Sequence, residues 1–263
     1  MVQSFRAWAL EQNDRRIVYA SGPEATMFAE SRAFGVTRHR LPAWKVVLPI
    51  GGHAELLRPG QPVITAAGLI VPPQLAHTCV ATSPYIALFV DSWLLPSDQE
   101  PTRLDATEVR RLIAALGAAD EGGPGTAADL AAGYLELRAL TQAPPPLDPR
   151  VAHAIRLSGH PEPDLSVTSV AAEVGLSAPR LRALVRQTVG VPLIRLRQWA
   201  RLRAAIAELP GTTAAMAAAT AGFADQAHLT RTARGLIGRT PASLRPAVID
   251  RPVRDRLRSS SHP

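Results

Sequence analysis

Arg180, Arg182 and Arg186 crowd one short stretch of this chain, and Gln226, His228, Thr230, Arg231 and Arg234 crowd a second. A guanidinium forks two N–H donors toward a phosphate, or toward O6 and N7 of guanine; a glutamine amide fits N6 and N7 of adenine in the same way. Any one arginine meets phosphate more often than a base edge. Residues three and four apart share a helix face, so each stretch, if helical, presents its donors together. The chemistry within reach of such a set is the binding of a polyanion, with sequence discrimination where the donors reach base edges.

The elements that must carry these side chains share one grammar. Residues 166–184 run from Ser166 through an apolar, helix-forming stretch to Gly175-Leu176, then Ser177-Ala178-Pro179 opens a second stretch. Residues 213–231 repeat the order, with Gly222-Phe223 at the turn. Glycine supplies the left-handed backbone that a tight turn between two crossing helices needs. This is a helix-turn-helix pattern, whose second helix enters the major groove. In the first unit Val170 and Val174 are expected in the core, with Ser177 as N-cap and Pro179 in the first turn. Leu181, Leu184 and Val185 fall on the buried stripe, Arg180, Arg182 and Arg186 away from it, and Ala178 and Pro179 close to base edges. In the second unit Leu229 and Leu236 point inward. Gln226 suits adenine, Arg231 suits guanine or phosphate, and Thr230 and Arg234 flank the groove. His228 reads as a neutral surface or phosphate contact rather than a catalytic or metal-binding group. Between the units, Pro192 to Leu209 places Leu196, Trp199, Leu202, Ile206 and Leu209 on one side of a rod of about 27 Å. Such a rod holds two reading helices about one DNA turn (~34 Å) apart.

Charge agrees with a polyanion partner. Before residue 148 there are 12 basic and 14 acidic residues, a net of −2; from Asp148 onward there are 17 arginines, no lysine and 8 acids, a net of +9. With 46% hydrophobic and 19% charged residues over 263 positions, the composition is that of a globular protein with room for two cores. Cys79 stands alone, so an intrachain disulfide is excluded and a reducing compartment is expected. Residues 1–16 lack the apolar stretch of a signal peptide, and no run of about 18 apolar residues is present. A cytoplasmic protein without a membrane segment is the expectation.

From about residue 16 to 95 short apolar runs alternate with Pro and Gly, which predicts strands in a barrel or sandwich. Residues 105–116 and 127–140 have helical spacing and form a hairpin, which either caps the barrel or makes a dimer surface. Thr141 to Leu147, with three consecutive prolines, is a semi-rigid linker. Asp148-Pro149 then opens a helix to about Ser158.

Ala171 through Ser177, Gly190-Val191-Pro192, Arg201-Leu202-Arg203, Gly222 through Gln226, His228 through Arg231, and Gly238-Arg239-Thr240-Pro241 with Arg245 stand in one order. That ordered set resembles the DNA-binding domain of AraC/XylS transcription regulators, over residues 148–246. The resemblance implies two helix-turn-helix subdomains reading a promoter, with Pro179, Arg182 and Ala183 in the first recognition helix and Gln226, Ala227, His228 and Arg231 in the second. It also implies contact with RNA polymerase. Ala217 stands where the family has an aliphatic residue, Ala233 where it has an aromatic, and Gly235 lies inside that helix. Each missing large side chain weakens packing by about 2 kcal/mol, so a looser second unit, or an offset first helix in it, is expected.

Arg38-His39-Arg40 and Gly68 through His77 are similar to the two cupin motifs of sensing domains. Metal-binding cupins use a His-x-His pair, a carboxylate and a distant His. Here residue 41 is Leu and no acid lies between His39 and His53, so at most His39, His53 and His77 converge and no metal or other cofactor is expected. A small-molecule effector in the barrel mouth is expected instead, near some of His39, Trp44, His77, Tyr85 and Trp93.

These readings combine into an α+β chain of two domains: a cupin-like β-barrel with a helical hairpin, then an all-α double helix-turn-helix. The divisions are 1–140 for sensing and possible dimerisation, 141–147 as linker, 148–246 for DNA, and 247–263 as a flexible basic tail. The expected activity is that of a non-enzymatic, effector-controlled, homodimeric transcription regulator on double-stranded promoter DNA. Two alternatives stay open: a cupin-type enzyme fused to a DNA-binding module, and a constitutive regulator with a purely structural N-terminal half.

Overall fold

The structure is a computed structural model that describes residues 5–244, apart from 13, 24, 97–99, 119–126, 145 and 160–165. The expected tail at 247–263, the Gly-rich turn at 122–125 and Arg245 lie outside the described residues.

Eleven strands precede the helices among the described residues: β1 Arg6–Gln12, β2 Arg15–Ser21, β3 Ala25–Glu30, β4 Phe34–Arg40, β5 Ala43–Pro49, β6 Ala54–Leu57, β7 Ile64–Ala66, β8 Gly68–Val71, β9 Ala76–Ala81, β10 Tyr85–Asp91 and β11 Thr102–Leu104. They pair antiparallel in two sheets, one of seven strands in the order β1-β2-β3-β10-β5-β8-β11 and one of four in the order β4-β9-β6-β7. The barrel suggested by the spacing of apolar runs is therefore not closed. The strand character also begins earlier than residue 16, because β1 gains its ladder from β2, with Arg6 opposite Ser21 and Gln12 opposite Arg15.

The large sheet is covered on both faces. That is why β3, β5 and β10 are buried at every position and show no two-residue alternation. One face lies under α1 Ala106–Ala115 and α2 Leu130–Ala139, whose Val109, Leu112, Ile113, Leu130, Tyr134 and Leu137 join Trp44, Val46, Leu48, Ile86 and Leu88 in one core. The hairpin thus caps the sheet. α1 starts where Asp105 and Glu108 close a reciprocal capping box.

The C-terminal helices are α3 Pro149–Ser158, α4 Val167–Glu173, α5 Ala178–Val189, α6 Leu193–Glu208, α7 Ala214–Thr220 and α8 Gln226–Ile237, followed by a 3-10 turn Pro241–Leu244. Asp148, Ser166, Ser177, Thr213 and Asp225 cap their respective N-termini through side-chain oxygens. α6 has 16 residues and so spans about 24 Å, about half a turn less than Pro192 to Leu209 would reach.

Two cores divide these helices. Val151, Ile155, Val170, Leu181, Val185, Val189, Val191 and Leu193 form the first, with Trp93 packed against it from the sheet region. The second has no boundary of its own. Trp199, Leu202, Ile206, Ala217, Ala218, Phe223, Leu229, Ala233 and Leu236 are continuous with the inner face of the large sheet. An aromatic ladder joins them: Trp8 to Tyr19 (5.3 Å), Tyr19 to Phe28 (5.0 Å), Phe28 to Phe89 (5.9 Å), and Phe89 to Trp199 of α6 (5.6 Å). Each such pair contributes about 0.5–1.5 kcal/mol beyond its buried area.

Polar contacts follow the same seam. The Trp8 indole donates to the Ile206 carbonyl at 3.1 Å, and the Tyr19 hydroxyl to that of Arg203 at 3.0 Å. The register of β4 breaks between Val36 and His39, which frees the Thr37 backbone N–H to donate to the Gly238 carbonyl at 3.1 Å. Gly238 ends α8 at φ +70°, and a Cβ there would stand 2.4 Å from the Thr37 carbonyl oxygen. Gly238→Ala should therefore lower stability by at least about 1–2 kcal/mol, the cost of the left-handed backbone alone, read as a lower urea midpoint of the full chain. An unchanged midpoint would mean that α8 does not rest on β4.

Candidate nucleic-acid interface and the cavity beneath it

Gly175 at φ +67° and Gly222 at φ +73° make the turns of both helix-turn-helix units, as their place in the sequence requires. Behind each turn the second helix separates its faces. On α5, Leu181 and Val185 are buried while Ser177, Pro179, Arg180, Arg182, Ala183 and Arg186 are exposed; Ala178 is half-buried. On α8, Leu229, Ala233, Leu236 and Ile237 are buried while Gln226, Ala227, Arg231 and Arg234 are exposed; His228 and Thr230 are half-buried. Of these outward residues, seven in the first unit and six in the second, all but Ala178, His228 and Thr230 are open to solvent. The His228 ring stands edge-on against Phe223, centroids 5.3 Å apart, so it packs the turn as well as facing outward. Its backbone N–H is held by the Asp225 carboxylate at 2.6 Å.

The alanines that replace large family residues, Ala217 and Ala233, are fully buried, and Gly235 is exposed. Their helices keep the expected positions. The core they enter is shared with the large sheet, so its bulk comes from Trp199, Phe223 and the sheet rather than from α7 and α8 alone.

Below α8 lies a cavity between the two sheets. Phe28, Val47, Ala87 and Phe89 line it from the large sheet, Phe34, Val36, Cys79 and Ala81 from the small one, and Ile237, Arg239 and Leu244 from the C-terminal helices. Lys45 and Tyr85 supply its polar groups together with Arg239. Lys45 is the only lysine in the chain. It is buried, and among the described residues its amine has no carboxylate partner; it donates instead to Nε2 of His39 at 3.4 Å. Burial pushes that amine below the usual lysine range, and the Arg239 guanidinium adds to the effect.

Glu30 anchors the wall of this cavity. Its carboxylate accepts from Arg239 Nη1 at 2.7 Å, Arg15 Nε at 2.6 Å and the Tyr85 hydroxyl at 3.1 Å. The Arg239 guanidinium also lies 3.9 Å from the centre of the Phe34 ring. Burial raises the Tyr85 hydroxyl pKa well above its ordinary value, against the lowering pull of Arg239. A second arginine of the helical region, Arg203 on α6, enters the sheet region beside Ser21, the Gly22 carbonyl and Asp91.

Of the residues expected at an effector, Tyr85 lines the cavity. His39 and His77 stand opposite each other on β4 and β9, rings 4.2 Å apart, next to it behind Lys45. Trp44 faces the core under the hairpin, and Trp93 packs against the first helix-turn-helix. Lys45, Glu30, Arg203 and Arg239 were not assigned to this site from the sequence, although Arg203 and Arg239 stand in the motifs that carry the resemblance. Lys45 and Arg203 carried a signal: a lysine inside an apolar strand run, and an arginine one turn after Trp199 on the apolar side of α6. Glu30 and Arg239 lie 209 positions apart and carried none.

Each of the two histidines sets its Nδ1 against a backbone carbonyl, Thr37 for His39 and Leu75 for His77, which places the proton there and leaves Nε2 as acceptor. His77 Nε2 is buried with no hydrogen-bond partner. Among the described residues no three His, Cys, Asp or Glu side chains gather as a metal site, and no helix is long and apolar enough to cross a membrane.

Burial, with the Lys45 charge adding to it, drives the pKa of His39 to about 2 and that of His77 to about 3. Both rings stay neutral in the folded chain, whereas the unfolded chain protonates them near pH 6.5. Their contribution to stability is therefore complete above about pH 6.5 and is lost as pH falls toward the folded values. Between pH 7 and 5 the urea midpoint should fall, with a slope approaching two protons released on folding. His77→Gln should remove about one of them. A midpoint flat across that window would contradict the buried neutral pair.

Residues 170–247 match a family model described as a helix-turn-helix domain. Among solved structures, ToxT from Vibrio cholerae O395 aligns over 91% of this chain and 95% of its own at 9% identity, with a TM-score of 0.54. Unsaturated fatty acid-bound ToxT from Vibrio cholerae strain SCE256 aligns over 91% and 93% at 10% identity, with a TM-score of 0.52. An AraC-type DNA-binding domain-containing transcriptional regulator from Chromobacterium violaceum aligns over 37% of this chain and 89% of its own at 28% identity, with a TM-score of 0.34. No curated protein matches the chain. The likeness to ToxT is one of fold: a sheet-rich N-terminal region followed by paired helix-turn-helix units.

Proposed function

We propose, from the premise that residues 170–247 are an AraC-type helix-turn-helix domain and the chain a DNA-binding transcription regulator, that α5 and α8 read two successive major grooves and that a small acid held in the cavity controls them. The observation that carries the reading is the exposure of Arg180, Arg182, Arg186, Gln226, Arg231 and Arg234 on helices whose opposite faces are buried. Ser177, Ala178, Pro179, Ala227, His228 and Thr230 complete the contact surface at the helix N-termini. α6, about 24 Å long, separates the two units by a distance that suits one DNA turn of ~34 Å once helix radii are added.

The effector class follows from charge. The cavity wall sets Lys45 and Arg239 against the single carboxylate of Glu30, which Arg15 already shares. A ligand with a carboxylate and an apolar body supplies the missing anion and fits the aliphatic and aromatic lining. ToxT, which shares the fold, has been solved with an unsaturated fatty acid bound. In this reading residues 1–140 are a cupin-like sensing domain, 141–147 a linker, 148–246 the DNA-binding domain and 247–263 a basic tail. The protein works in the cytoplasm as a homodimer and contacts RNA polymerase at the promoter.

Two measurements check it. Selection of duplexes by the full chain should yield a preferred site, and Arg231→Ala should weaken that site by about 1–3 kcal/mol while relaxing one base position. Uniform weakening on every sequence, with a shallower salt slope, would assign Arg231 to phosphate; unchanged binding would remove it from the interface. Decanoate should raise the melting temperature of the full chain in a concentration-dependent way, and Lys45→Met should abolish the shift. A shift that survives Lys45→Met would place the acid elsewhere.

A further inference from the structure

The cavity is small for the ligand its chemistry suits. Water-sized molecules can place their centres in about 30 Å³ of it, room for roughly two waters. Anything larger enters only if a wall gives way, and the walls are unequal. Phe28, Val47, Ala87 and Phe89 sit on β3, β5 and β10, inner strands hydrogen-bonded on both sides and backed by α1 and α2. Ile237, Arg239 and Leu244 sit at and beyond the end of α8, which meets β4 through the Thr37–Gly238 contact, β3 through the Glu30–Arg239 pair and β2 through the Arg15–Ser243 hydrogen bond. The wall that no strand ladder holds is the one that belongs to the second helix-turn-helix.

The first unit is placed differently. α3, α4 and α5 close their own core, reached from the sheet region by Trp93, and no residue of these helices lines the cavity. The second unit has no core separable from the sheet. Strain at the cavity therefore reaches one unit directly and the other only through α6 and Trp93.

We propose that occupancy of this cavity moves the second helix-turn-helix alone. A ligand carboxylate seated between Lys45 and Arg239 competes with Glu30 for the Arg239 guanidinium, while the ligand body lifts the end of α8 and the 241–244 turn away from β4. Glu30 keeps Arg15 and Tyr85, so its charge stays paired when Arg239 leaves. The first unit keeps its position. The regulator then has one fixed and one adjustable reader, and the effector acts by changing the angle and spacing between them. Two arrangements with different affinity for one duplex are what effector control requires. This rests on the effector reading above and deepens it to a mechanism.

Hydrogen exchange on the full chain tests the coupling with and without ligand. Ala87→Phe fills the cavity from the rigid side, and Glu30→Gln removes the charge that holds Arg239 while keeping its size. Each should raise exchange in peptides covering 226–244 by about tenfold and leave 149–189 unchanged; decanoate should do the same to the wild-type chain. If Ala87→Phe does not fold, Glu30→Gln carries the test. Equal loosening of both units, or unchanged exchange in 226–244 in the folded variants, would overturn the proposal. So would a Lys45-dependent melting shift with decanoate that leaves 226–244 unaltered or more protected. Loosening by both variants with no response to decanoate would uphold the coupling and remove the acid as effector.

Discussion

A carboxylate withdrawn from water costs several kcal/mol unless its lone pairs are satisfied by charge and hydrogen bonds. Glu30 is withdrawn in this way, and its partners come from both ends of the chain: Arg15 on the neighbouring strand, Tyr85 on β10, and Arg239 just past α8. Arg15 and Tyr85 meet part of that requirement, and Arg239, itself buried, completes it. Without a competing anion Arg239 therefore rests on Glu30, and Gly238 turns the chain to deliver it. The end of α8 is fixed to the sheet by an electrostatic requirement of the sheet. Arg203 repeats the arrangement from α6, and the ladder from Trp8 to Trp199 fills the apolar space between the two sites.

α8 thus serves two surfaces at once. One face and its C-terminal end belong to the seam with β4, through Ile237, Gly238 and the turn beyond; the face with Gln226, Arg231 and Arg234 stays in solvent. Because a helix is rigid along its length, a change at the seam must move the exposed face with it. α5 has no such second attachment. The asymmetry between the units follows from which helix the sheet holds, and their helix-turn-helix geometry is otherwise alike, down to the left-handed glycine caps at Gly190 and Gly238.

How much of this could be read from residue order differs by region. The helices at 149–158, 167–173, 178–189 and 214–220 were legible because their signals are local: a capping side chain, a glycine that must be left-handed, apolar spacings of three and four. The hairpin start at Asp105 was legible for the same reason. The strands were legible as apolar runs, but their pairing was not, since a seven-strand order that inserts β10 between β3 and β5 depends on contacts across the whole sheet region. β1 was missed because its strand character comes from its partner. The closed barrel was expected and is not present: the strands pair in two separate sheets. Burial of the large sheet on both faces hid the alternation that would have put Lys45 and Val47 on one inner surface. The residues proposed to read DNA are nameable from position alone; the residues of the seam are not, because Glu30 and Arg239 have nothing local to connect them.

The central claim is that two helices of one chain enter neighbouring grooves of one duplex. Hydroxyl-radical footprinting of the full chain on a selected site tests it most directly. The account predicts two protected patches on the same face of the helix, about 10 base pairs apart centre to centre, with the patch assigned to α8 vanishing in an Arg231→Ala, Arg234→Ala variant while the other remains. A single patch in the wild-type protein, or loss of both patches together in the variant, would contradict it.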